Sequence, residues 1–174
     1  MSDEFQITGN NPSALFTLKI HRGDGMSLVA MNWKTGKPPD NFVGFAIEYK
    51  EPGGDKFFAL RNRLSFPDAD KGDPDRFSSL RSPIQKFRWV HFPRNANLKG
   101  KFIYGVKPVF MNETGELSTG DPQEAKIELR RETFPGQLNI AYTRGFVSSQ
   151  AFVDRFKTTK DVPREGKGWT GFCP

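Results

Sequence analysis

Cysteine is nearly absent: the 174 residues hold one, Cys173, and one thiol cannot close an internal disulfide. Histidine is almost as scarce, with only His21 and His91, so no Cys/His set has zinc-ligand spacing. Neither histidine stands beside a nucleophile in sequence, and Cys173 lacks the base and electropositive setting that a reactive thiolate needs. Gly23 and Gly25 fall in a short turn with no Lys-Ser or Lys-Thr after them, which excludes a phosphate loop. No run approaches the ~18 apolar residues of a spanning helix. The opening Met1-Ser-Asp-Glu-Phe-Gln6 has neither a basic region nor an apolar run, so a soluble cytoplasmic protein is expected. The acidic cluster Asp68, Asp70, Asp73 and Asp75 departs from the EF-hand pattern, since Gly72 falls fifth from Asp68 and no Glu follows in register. No metal and no cofactor is expected.

Phenylalanine, by contrast, is abundant at 17 copies, and large aromatics supply much buried area per residue. Apolar residues recur at every second place: Phe16, Leu18, Ile20; then Val29, Met31, Trp33; then Phe45, Ile47, Tyr49. Alternation of this kind puts one face of a strand in a core and the other in water. Further strands are expected at Lys56–Leu60, Gln85–Phe92, Lys101–Phe110 and Glu124–Leu129, with a possible last one at Leu138–Tyr142. His21 is placed in a turn, and His91 shares strand parity with Trp89, which predicts a half-buried imidazole. Residues 62–83 form an irregular stretch of unusual length, read as either functional or mobile. After Pro135-Gly136 the period changes. Ser148 is a fitting N-cap, and Ala151, Phe152, Val153 and Phe156 recur at helical spacing.

These features predict an all-β sandwich with a short C-terminal strand-plus-helix appendage. The expected divisions are a loose N-terminus over 1–12, the sandwich over 13–130, the appendage over 131–157 and a tail over 158–174. A strand ending in Trp33, the segment Gly44-Phe-Ala-Ile-Glu-Tyr-Lys-Glu-Pro-Gly-Gly54, and Phe102-Ile-Tyr-Gly-Val-Lys-Pro108 followed by an Asn-Glu-Thr-Gly turn together make residues 13–130 resemble a fibronectin type III domain, which implies a sandwich of the fibronectin type III/immunoglobulin-like kind. Phe102 stands where that family carries its corner tyrosine, and Tyr104 points the same way. The segments 82–93 and 142–156 also look like the amino-terminal region of certain bacterial phospholipase D-like proteins. The catalytic signature of that superfamily is His-x-Lys-x4-Asp. Here His21 is followed by Arg22-Gly23 and His91 by Phe92-Pro93, so the resemblance implies an accessory module without its enzyme.

The functional expectation is a non-catalytic protein-binding or scaffolding module acting through the appendage or a sheet edge. Its candidate contact residues are Phe152, Phe156, Trp169 and Phe172, with a protein or a neighbouring catalytic domain as partner. The simpler reading of the helix is that it docks on its own sandwich. A second class is the accessory region of a phospholipase D-like phosphodiesterase. A third is a weak nucleic-acid binder: net charge is +6, and the stretch 81–107 interleaves cations with aromatics. In that stretch Lys86 and Arg88 are candidate anion contacts. Their parity opposite Phe87 and Trp89 is equally what a wet strand exterior requires.

Overall fold

The computed structural model describes residues 5–67 and 69–142. Among these described residues nine strands run in chain order: β1 (Gln6–Thr8), β2 (Phe16–Gly23), β3 (Met26–Trp33), β4 (Phe42–Lys50), β5 (Phe58–Ala59), β6 (Arg88–His91), β7 (Lys101–Met111), β8 (Leu117–Thr119) and β9 (Gln123–Glu128). Every pairing between these strands is antiparallel. One sheet has the order β1-β2-β3-β6. The other has β5-β4-β7, with β8 and β9 both on the far side of β7. They take successive halves of that side, β8 along Val109–Met111 and β9 along Lys101–Val106. No helix occurs among the described residues.

The two sheets stack on the faces that alternation assigns to the core. Phe16, Leu18 and Ile20 of β2 are fully buried, while Thr17 and Lys19 between them are exposed. Opposite them lie Phe45 and Ile47 of β4, Phe102, Tyr104 and Val106 of β7, and Ile127 of β9. At one end the aromatics gather. Trp33, Phe42, Phe45, Phe87 and Phe110 contact one another at ring-centroid separations of 5.0–6.5 Å, tilted or edge-on. Such geometry suits the ring quadrupoles and adds to the area buried.

Four local expectations are corrected. Gln6–Thr8 is not loose but pairs with Lys19–His21, because Ile7 has an apolar slot opposite Ile20. His21 lies within β2 rather than in a turn. The strand expected over 85–92 shortens to Arg88–His91. Leu138–Tyr142 forms no strand; Leu138 makes only a bridge to Phe134. This last segment serves instead to close one end of the sandwich. Arg22, buried and facing inward, donates from its guanidinium to the Thr133 carbonyl at 2.7 Å. Asp24 N–H donates to the Ile140 carbonyl at 2.8 Å. Gly23 is required there, since a Cβ would stand 2.8 Å from that same carbonyl oxygen. The helix expected around Ala151–Phe156 and the tail beyond lie outside the described residues.

Candidate functional site

The stretch 62–83 is held at many points. Asn62 N–H donates to the Phe77 carbonyl at 2.7 Å, and Ser79 N–H to the Leu60 carbonyl at 2.8 Å. Its acidic side chains serve the backbone: Asp70 accepts from Gly72 N–H and Asp73 from Asp75 N–H, each at 2.8 Å. Asp73 also pairs with Arg81. Carboxylates committed in this way make Asx turns, not a cation cage. Among the described residues no cluster of three or more His, Cys, Asp or Glu side chains could hold a metal. Asp68 lies outside the described residues.

The segment also seals the exposed edge of β4. Beside β5, Leu60 N–H donates to the Ile47 carbonyl at 2.8 Å. The buried Ser79 hydroxyl donates to that carbonyl at 2.8 Å and accepts from Ile47 N–H at 3.0 Å. Farther along, Phe45 and Ile84 exchange two backbone hydrogen bonds at 2.9 and 2.8 Å. Gly44, at φ +138°, permits this approach, for a Cβ would meet the Ile84 carbonyl oxygen at 2.8 Å. At the start of β9, Gln123 plays a similar part. Its amide donates to the Asn11 and Phe16 carbonyls at 2.9 and 3.0 Å, and its oxygen accepts from Asn11 N–H at 2.9 Å.

Inside the sandwich a polar chain crosses from one sheet to the other. The Ser27 hydroxyl donates to the Tyr104 hydroxyl at 2.9 Å, and that hydroxyl lies 2.9 Å from His91 Nδ1. Ser27 and His91 face each other across β3 and β6, and Tyr104 reaches them from β7. The Tyr49 ring packs against the imidazole, tilted by 51° with centroids 4.4 Å apart. Burial pushes His91 down to about 4 and raises the Tyr104 phenol well above its ordinary value. The imidazole is therefore neutral at physiological pH. Ser27 is not activated by this chain, since the phenol stands between it and the base. Buried and closed to substrate, the trio is an inter-sheet tie. Tyr104 thus sends its hydroxyl across the core, not back to its own backbone as a corner tyrosine would. His91 is more buried than its strand parity predicts. His21 is half-buried, and desolvation, then Lys19, lowers its pKa.

β6 is an edge strand of the sheet β1-β2-β3-β6. Met31 N–H donates to the Phe87 carbonyl at 2.8 Å, which sets the alternation along this ladder. Phe87, Trp89 and His91 turn their backbone groups toward β3, and Arg88 and Val90 turn theirs away. Among the described residues nothing pairs with β6 on that side. Beside the edge, Gln85, Lys86, Phe87 and Arg88 line a shallow recess. Phe87 packs one side on Phe42 and Phe45 and leaves 39% of its surface in water.

Lys86 and Arg88 are exposed, as expected, and Arg88 projects on the side away from the core. Lys107, in the same basic-aromatic stretch, belongs to the other sheet and pairs there with Glu48 at 3.0 Å. The stretch 81–107 is therefore divided between two faces of the molecule. Phe152, Phe156, Trp169 and Phe172 lie outside the described residues. Sequence reasoning missed Ser27, Ser79 and Gln123, whose partners are 32 to 112 residues distant. The only available signal was a small or polar residue at an inward strand position. Compared with known proteins, the chain matches no family model, no curated protein and no solved structure.

Proposed function

We propose that this chain is a non-catalytic binding module that takes up an extended segment of a partner protein as an added strand along β6. The observation carrying this reading is the outer side of Arg88–Val90, which has no partner among the described residues, in a sandwich whose β4 edge is sealed by side chains and by the 62–83 segment. An unpaired edge offers main-chain donors and acceptors at strand spacing, and side-chain pockets beside it add selectivity. The recess beside Phe87 is such a pocket. The order β2-β3-β6 against β5-β4-β7-β9 also supports a fibronectin type III-like arrangement. Kinship with the accessory region of phospholipase D-like proteins rests on the segments 82–93 and 142–156 alone. A nucleic-acid surface is disfavoured by the division of the cations between two faces.

Selection from a library of extended peptides against the purified protein tests the reading. Binders should protect the Arg88 and Val90 amides from hydrogen exchange and lose affinity in Arg88→Pro. Proline at 88 removes an N–H that β3 does not use, so the fold is expected to survive. Selected peptides that bind Arg88→Pro as well as the parent protein would sink the proposal.

A further inference from the structure

Charge divides unequally between the outer faces of the two sheets. On the outer face of β5-β4-β7-β9, Glu48, Glu124 and Glu128 are interspersed with Lys50, Lys107 and Lys126. The outer face of β1-β2-β3-β6 is different. By strand parity its outward positions are Gln6 and Thr8; Thr17, Lys19, His21 and Gly23; Met26, Leu28, Ala30 and Asn32; and Arg88 and Val90, of which Met26, Gly23 and Val90 are buried. None of these is a carboxylate. Lys19 lies two strands from β6, about 10 Å at strand spacing and slightly beyond the Debye length of about 8 Å at physiological salt, so it adds to the field beside Arg88 chiefly at low salt. A strand laid along β6 would therefore alternate between two environments. Every second side chain would lie beside Arg88 on the carboxylate-free face, and the others would lie beside Phe87 and Trp89.

From this pattern, and resting on the strand-addition reading above, we infer that the partner segment is acidic, with Asp or Glu alternating with apolar residues. A second copy of this chain does not fit. Antiparallel self-pairing about Arg88–Val90 would bring the Arg88 side chains of both copies onto one carboxylate-free face, and like charges on neighbouring strands repel. The same cation suits an acidic segment, for which opposite charges across strands are favourable.

The test uses fluorescent peptides of one length and three compositions, alternating Glu/Val, Ser/Val and Lys/Val, together with an oligothymidylate, titrated into the full chain. Glu/Val should bind about tenfold more tightly than Ser/Val at low salt and lose that advantage as salt rises. Arg88→Glu should transfer the preference to Lys/Val. N-methylating alternate residues of the Glu/Val peptide should abolish binding without altering the protein, which keeps the main-chain test independent of whether Arg88→Pro folds. Equal binding of Glu/Val and Ser/Val, both lost on N-methylation, would overturn the acidic preference and leave strand addition standing. Glu/Val binding that survives N-methylation would overturn strand addition, and the acidic-strand inference with it. Oligothymidylate binding with no peptide binding would overturn both in favour of a nucleic-acid surface.

Discussion

Along β4 the backbone groups of Phe45 and Ile47 that face away from β7 are all bonded, to Ile84, Leu60 and Ser79. Along β6 the corresponding groups of Arg88 and Val90 meet no partner among the described residues. Both strands border the same core, so burial does not separate them. The difference is the chain that follows each strand. After β4 and β5, residues 60–84 fold back and supply a carbonyl, an amide and a hydroxyl at the right spacing. After β6, the chain turns away through Pro93 toward β7. Among the described residues, one edge is blocked by a long segment and the other carries exposed cations, two different means of limiting edge-to-edge aggregation.

The comparison can be broken by substitution, starting where the largest loss is expected. Phe45→Ala on the sealed edge should cost about 3–5 kcal/mol, because Phe45 is fully buried within the aromatic cluster. Chemical denaturation would measure it, and a loss below about 1 kcal/mol would show that this edge is not part of the core.

Acid should act on the β6 side through His91. Its folded pKa is depressed to about 4 from an ordinary 6.5, so the unfolded chain binds a proton first. Stability from this group is whole above pH 6.5 and is lost as pH falls toward 4, a total of about 3 kcal/mol. Denaturation midpoints across that window would show the fall in the parent protein, and most of it should vanish in His91→Gln.

Ser79→Ala comes next, at about 1–3 kcal/mol, since it takes a donor from the Ile47 carbonyl and the acceptor of the buried Ile47 amide. Hydrogen exchange at Ile47 should accelerate in parallel. Arg88→Pro should be the mildest change, within about 0.5 kcal/mol by thermal melting, because the N–H it deletes points away from β3 and has no partner among the described residues. A large loss there would mean that β6 is already paired and that the two edges do not differ.

Much of this was legible beforehand. Strands β2, β3, β4 and β7 stood out because their apolar residues keep a strict period of two over long runs. The outward placement of Arg88 followed from the same parity, as did the inward one of Trp89 and His91. β1 was not legible, since three residues carry too little pattern until Ile20 offers Ile7 a place to pack. Nor was the role of 62–83, whose Asp, Pro and Ser content reads as loop whether or not it seals an edge. The tie among Ser27, Tyr104 and His91 needed three strands from two sheets to converge.

Period and composition were enough to determine that this chain builds two antiparallel sheets around an aromatic core, because side-chain direction along a strand is a local property. Which backbone groups stay unpaired was decided only in three dimensions. Pairing depends on what the rest of the chain brings alongside, and on that depends whether β6 has room for a guest.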